Sequence, residues 1–201
     1  MKKVLFPSIA ITAFAFMAFI TTDPLPIGSL MPKVGHKMKD ISGKEMAIND
    51  VKKANGVLVM FSCNTCPYVV KNQARTIAIC EYAQKNKLGV IVLNSNEGQR
   101  STDDSFDAMK NYAKVQHYNW SYVVDKNNEV ADAFGANRTP ECYLFNKDLK
   151  LVYHGAIDDN PSNPSKIKRH HLQEAIDELV AGKEISVKET RSVGCGIQRK
   201  S

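Results

Sequence analysis

The sequence predicts a three-layer α/β domain whose central sheet is mostly parallel and carries an antiparallel hairpin at its end. Three observations lead there. Two apolar runs, residues 56–61 and 90–93, have strand length and no alternation, as strands covered by helices on both faces require. Segments with helical apolar spacing alternate with them along the chain. Near the C-terminus, residues 142–145 and 151–154 read as strands around Asn146-Lys-Asp-Leu-Lys150, a hairpin.

Taken in order, residues 37–41 and 44–48 are short alternating strands around Ser42-Gly43, an N-terminal hairpin. The buried strand 56–61 follows. From Pro67 to Asn86, the apolar residues Val70, Ala74, Ile77 and Cys80 predict a helical stripe that Gly89 stops. The strand 90–93 comes next. Ser101 and Thr102 can then cap a helix with acids in its first turn and Phe106, Met109 and Ala113 on one face. Residues 120–124 return as a strand, and 130–134 form a short helix ended by Gly135. Leu172, Ala175, Ile176 and Leu179 give the core face of a last helix, with Gly182 just beyond it.

The chain has 201 residues, of which 43% are hydrophobic and 24% charged, values of a globular protein rather than a disordered or disulfide-scaffold chain. Without a leader, about 180 residues remain, one domain with a core of its own. The net charge of +6 comes mostly from Lys2, Lys3 and the stretch 183–201, and the body between is near neutral. No basic patch on the body suggests a nucleic-acid partner. Met1-Lys2-Lys3 followed by a mostly apolar run over 4–20 reads as an export signal, with an uncleaved membrane anchor as the competing reading. Residues 1–22 are thus signal peptide or anchor, 23–30 (with Pro24 and Pro26) a linker, 31–183 the domain and 184–201 a tail on or near it. Either reading of the leader places the domain outside the cytoplasm, periplasmic or secreted, where disulfides form and persist.

The chemistry lies in Cys63-Asn-Thr-Cys66-Pro67, where a buried strand ends and the long helix begins. Two cysteines three apart across a first turn can close a small disulfide ring. The first faces unpaired helix N–H groups and the positive dipole end, which favour a thiolate. Cys63 is therefore expected to be an accessible nucleophile, and Cys66 to attack the mixed disulfide that Cys63 forms. Pro67 suits a first-turn position, which has no intrahelical N–H bond to lose. A zinc half-site is the structural alternative, but no second CxxC or HxxxH supplies further ligands; Cu(I) on the soft pair is the metal least excluded. Thr139-Pro140 precedes the strand at 142 and is either a plain loop proline or a cis bond.

These two elements, in this order before a terminal hairpin and helix, resemble the thioredoxin superfamily. More narrowly, Phe61-Ser-Cys-Asn-Thr-Cys-Pro-Tyr68, Asn94-Ser-Asn96, Asp104-Ser-Phe-Asp-Ala-Met-Lys110, Leu151-Val-Tyr-His-Gly-Ala-Ile-Asp-Asp159 and Gly194-Cys-Gly-Ile197 are similar to a CxxC-containing, peroxiredoxin-like redoxin family, over about residues 30 to 197. The resemblance implies a thioredoxin-like α/β/α fold with a mixed sheet and an N-terminal hairpin extension. It also implies that Pro140 is cis and stacks beside Cys63, and that the Thr139 backbone pairs with an extended substrate segment. Small thioredoxins place a buried Asp on the strand before the motif, whereas 56–61 holds no acid; Glu97 is the candidate proton acceptor in its stead. A peroxidatic cysteine is expected three residues after a Thr and near an Arg. Met60 stands at that position for Cys63, and Arg138 could supply the cation.

Cys80 lies 14 residues beyond Cys66, roughly 21 Å along a helix at about 1.5 Å per residue, too far for a bond and suited to the core. Cys142, two residues after Pro140, is either core or a third thiol near the pair. Cys195, between glycines past the last helix, could resolve a sulfenate, pair between chains, lie under the tail or stay free. With Cys63 and Cys66 paired, at least one of these three is unpaired or intermolecular. His36, His117 and His154 suit hairpin and surface positions. No Gly-rich phosphate loop occurs, and nothing calls for a cofactor.

The leading expectation is an exported thiol–disulfide oxidoreductase acting on disulfide-containing proteins and recharged by an electron donor the sequence does not identify. A thiol peroxidase using Cys63 and a Cu(I) carrier are the alternatives.

Overall fold

The computed structural model describes residues 23–200, so the expected leader lies outside the described residues. A seven-stranded mixed sheet runs through it: β1 (Met38–Asp40), β2 (Glu45–Met46), β3 (Gly56–Ser62), β4 (Leu88–Asn94), β5 (Ser121–Val124), β7 (Glu141–Phe145) and β8 (Leu151–Gly155), in the order β2-β1-β5-β4-β3-β7-β8. Only β3–β4 and β4–β5 pair in parallel; the hairpins at both edges are antiparallel. The mixed sheet expected from the family resemblance is present, and the sheet is less parallel than apolar runs alone suggest. A second ribbon joins β6 (Arg138–Thr139) to β9 (Cys195–Gly196).

Alternation along β3 explains the layers. Leu58 and Met60 face a core built with Ile79, Cys80 and Ala83 of α2 (Pro67–Lys85), Met109 and Ala113 of α3 (Phe106–Val115), and Leu172, Ala175 and Ile176 of α5 (His171–Val180). Val57, Val59 and Phe61 face the other layer, with Ile48 of α1 (Ile48–Val51) and Val130, Ala131 and Phe134 of α4 (Glu129–Phe134). Both faces are covered, so β3 and β4 are buried along their whole length and need no polar side. Phe61, Phe134 and Tyr143 meet edge-on at centroid distances of 5.2–5.6 Å, the arrangement their ring quadrupoles favour.

Several local expectations are corrected. Helix α2 buries Val69, Asn72, Gln73, Thr76, Ile79, Cys80 and Ala83, whereas Val70 and Ala74 face solvent. Its inner face is polar at the end that carries the cysteines, so apolar residues do not mark it. Gly89 does not stop the helix, which ends at Lys85; it lies in β4, where a Cβ would sit 2.1 Å from the Val51 carbonyl oxygen. Helix α3 begins at Phe106, and its cap is Ser105, whose hydroxyl accepts from the Ala108 N–H at 3.3 Å. Ser101 and Thr102 sit in a turn before it.

Residues 23–30 lie along the domain: the Leu25 N–H donates to the Phe134 carbonyl, the Gly28 N–H to that of Leu151, and Leu25 and Ile27 pack on the core. After α5 the chain crosses the sheet edge, where Thr190 bonds to Tyr153, His154 and Ala156. It then returns as β9 and buries Ile197 in the core.

Candidate active site

Cys63 stands one residue past β3 and Cys66 caps α2, with Pro67 at the first helical position. The strand–helix junction expected from sequence is thus in place, and the Thr139-Pro140 bond beside it is cis. Thr139 touches both cysteines: its hydroxyl lies 3.7 Å from Cys63 Sγ, and its carbonyl oxygen 3.3 Å from Cys66 Sγ. Cys63, Cys66 and Val69 form one small cluster on which Tyr68, Tyr112 and Cys195 pack.

Cys66 is bonded to Cys195, across 129 residues of chain and a Cα separation of 6.0 Å; Cys63 is a thiol. Cys195 therefore neither pairs between chains nor stays free here. The tail folds back so that Thr139 and Cys195 are opposite residues in the antiparallel β6–β9 ribbon. The edge expected to receive an extended substrate segment is occupied by the protein's own C-terminal strand. Cys80 and Cys142 are fully buried among apolar side chains, as core residues. Burial drives both thiols far upward, which keeps them inert.

The expectation of an accessible, readily ionised Cys63 is corrected. Cys63 is 1% exposed and Cys66 5%, while Cys195 is only half-buried. Burial, and next the negative charge of Asp104, push the Cys63 thiol above its ordinary value of 9.0. They outweigh the N–H groups of Cys66 and Thr65 and the Thr139 hydroxyl, which favour the thiolate. The helix N-terminus is where sequence places it; its burial, in a cluster on which Tyr68, Tyr112 and Cys195 pack, is what sequence does not reveal.

Asp104 is the functional residue that sequence reasoning missed. Its carboxylate is fully buried and accepts from the Asn64 backbone N–H at 2.8 Å, from Asn94 Nδ2 at 2.7 Å and from Asn96 Nδ2 at 3.0 Å. Asn64, between the two cysteines, also donates through Nδ2 to the Asp103 carbonyl and accepts from the Tyr122 hydroxyl at 2.9 Å. The Cys63–Cys66 turn is thereby tied to β4, β5 and the turn before α3. Glu97 is engaged by Arg100 at 2.7 Å, and the carboxylate whose charge reaches Cys63 is that of Asp104. The available signal was the conjunction of Asn94-Ser-Asn96 with Asp104, three amide or acid side chains that the order of elements brings to one strand end.

The loop carrying Pro140 is fixed by Glu141, buried next to it. One oxygen accepts from the Asn137 and Arg138 backbone N–H groups at 2.9 and 3.0 Å, and the other lies 2.8 Å from His154 Nε2. His154 lies in the hairpin strand β8 as expected, and is buried against the Tyr143 ring rather than at the surface. His36 is half-buried and His117 exposed. Arg138 is exposed. Among the described residues no group of three or more His, Cys, Asp or Glu side chains could hold a metal ion, and no helix is long and apolar enough to cross a membrane.

A family model described as AhpC/TSA matches residues 27–154. No curated protein matches. An uncharacterized conserved protein from Geobacillus kaustophilus is 31% identical, with 87% of this chain and 93% of that chain covered and a TM-score of 0.81. A hypothetical protein from Sinorhizobium meliloti is 27% identical, with coverages of 89% and 97% and a TM-score of 0.81. The thioredoxin domain of a Bacteroides vulgatus thiol-disulfide oxidoreductase, at 18% identity, coverages of 66% and 89% and a TM-score of 0.53, shares the fold. The chain belongs to the AhpC/TSA family and is a thioredoxin-fold redoxin.

Proposed function

We propose that the protein is an exported thiol–disulfide oxidoreductase that reduces or exchanges disulfides of partner proteins through Cys63 and Cys66. The observation that carries the reading is the cluster itself: a thiol at a helix N-terminus, packed with Cys66 and beside a threonine–proline loop. Cys66 is already engaged in a disulfide. The thiolate of Cys63 attacks a partner's disulfide, forming a mixed disulfide and releasing the partner's other sulfur. Once a donor dithiol has reduced the Cys66–Cys195 bond and become a disulfide itself, the Cys66 thiolate attacks Cys63 Sγ, frees the partner's thiol and closes the Cys63–Cys66 bond. A partner dithiol takes the oxidised equivalent away and restores the site. When Cys66 is reduced, its thiol has a waiting acceptor in the Thr139 carbonyl. A partner strand would take the Thr139 backbone edge only once β9, which pairs with it in the closed site, has been displaced. The charged, apolar leader over residues 1–20 supports export, and the same segment serves as tether if it is retained.

The test is capture. In a Cys66→Ser, Cys195→Ser protein no resolving sulfur remains, so a disulfide-bearing protein such as insulin is expected to stay covalently attached, with the adduct mapping to Cys63. Absence of any adduct on Cys63, with the wild-type rate of insulin reduction retained by this variant, would overturn the assignment.

A further inference from the structure

We propose that Cys195 is a third redox-active residue of this site. The disulfide moves between Cys63–Cys66 and Cys66–Cys195, and the glycine before Cys195 sets where it rests. This inference builds on the proposed role of Cys63 and Cys66. Three observations carry it. The three sulfurs belong to one packed cluster, with Cys66 bonded to Cys195 and Cys63 left as the thiol beside them. The strand that brings Cys195 in is pinned on both sides. Thr190 is bonded to His154 and Tyr153 before it, and Ile197, Gln198 and Arg199 are bonded to Asn137, Asn96 and Asp132 after it. A Cys195 thiol released from Cys66 therefore stays beside the site at high effective concentration, and its return is intramolecular. Finally, β9 lies so close on β6 that a Cβ on Gly194 would be 2.1 Å from the Thr139 carbonyl oxygen, backbone that cannot step aside. A Cβ on Gly196 would meet only the Arg138 guanidinium, at 3.9 Å.

The exchange balances without any external oxidant. Cys63 gives its proton to solvent, and its sulfur lone pair forms the bond to Cys66 Sγ. The Cys66–Cys195 bond breaks, and its electron pair leaves on Cys195 Sγ, which takes up a proton. In the reverse direction Cys195 attacks Cys66 and Cys63 is regenerated as a thiol. The net effect is to carry the oxidised equivalent from the buried Cys63 to the half-buried Cys195, the sulfur of the three that an external thiol meets most readily.

The experiment follows the position of one disulfide in the full chain, oxidised to a single bond, acid-quenched and peptide-mapped. Wild type is expected to hold mostly Cys66–Cys195. Gly194→Ala is expected to raise the ratio of Cys63–Cys66 to Cys66–Cys195 about tenfold or more, from the overpacking alone. Gly196→Ala is expected to stay within about twofold of wild type. Cys63→Ser, which leaves the packing of Gly194 on Thr139 untouched, is expected to stop slow maleimide labelling of Cys195 in the oxidised protein, because only Cys63 can release it. Equal ratios in Gly194→Ala and wild type, or labelling of Cys195 in Cys63→Ser at the wild-type rate, would overturn the exchange. These readouts need no partner protein, so they stand or fall apart from the capture on Cys63.

Discussion

Cys63 sits between opposing influences: burial raises its thiol most, the charge of Asp104 adds to that, and the hydrogen bonds of the helix N-terminus and Thr139 oppose both. The carboxylate disfavours a second negative charge nearby and adds to burial in raising the Cys63 thiol, so removing the charge lowers it. In Asp104→Asn the midpoint of Cys63 alkylation against pH is expected to fall relative to wild type, both measured in a Cys66→Ser, Cys195→Ser background by mass mapping. In wild type the same profile is expected to rise with pH through the region above 9.0, where the buried thiol ionises. The substitution turns an acceptor of the Asn96 amide into a donor facing a donor, so a loss of about 1–3 kcal/mol in stability is expected with it. A merely structural Asp104 would lose stability and leave the alkylation midpoint in place. Glu141 acts at the same scale on the other side of the sulfurs. Glu141→Ala strands two backbone N–H groups and the His154 ring, and an unfolding free energy lower by at least about 2 kcal/mol is expected in urea.

Helix α2 is held at its cysteine end by polar contacts. Arg75 bonds Asp158 at 2.6 Å, with Asp158 1% exposed, and also caps the Asn160 and Pro161 carbonyls. Breaking such a buried pair from one side leaves an uncompensated charge, so Arg75→Ala is expected to destabilise by about 3 kcal/mol. Removing Asp158 as well is expected to cost less than the two single losses together, a coupling that a double-mutant cycle reads directly. This polar inner face explains what the sequence concealed. The length of α2, its start at Pro67 and the strands β3, β4, β5, β7 and β8 are legible because apolar runs and turn residues mark them. The stripe on α2 is misread because Asn72, Gln73 and Thr76, not Val70 and Ala74, face inward. The start of α3 is misplaced for a related reason: Asp104 is drawn into the Asn94–Asn96 cluster instead of heading the helix, and Ser105 takes the cap. Local spacing carries no information about a carboxylate recruited across the fold.

At the scale of the molecule, the last residues complete the site rather than trail from it. Gly194-Cys-Gly-Ile197 was visible as a motif, but its place on the Thr139 edge depends on contacts made more than 50 residues away, and no periodicity announces them. The tail also packs on the cluster that holds the buried Cys63, through Cys195. A nucleophile buried in such a cluster reacts only as fast as the cluster loosens, and the Cys66–Cys195 bond ties the strand down. Reduction is therefore expected to speed hydrogen exchange of the Cys195 and Ile197 amides while leaving those of β3 and β4 unchanged.

The central claim is that Cys66 is the sulfur shared by an exchangeable two-electron couple, with Cys63 and Cys195 on either side of it. Equilibration against a glutathione redox buffer, with the disulfide quantified by acid quench and mapping, tests it most directly. Wild type is expected to titrate as a single two-electron couple, about 30 mV per tenfold change in its equilibrium constant. Cys63→Ser and Cys195→Ser are each expected to keep one intramolecular couple, and Cys66→Ser to have none. An intramolecular disulfide that persists in Cys66→Ser with the wild-type midpoint would contradict the claim.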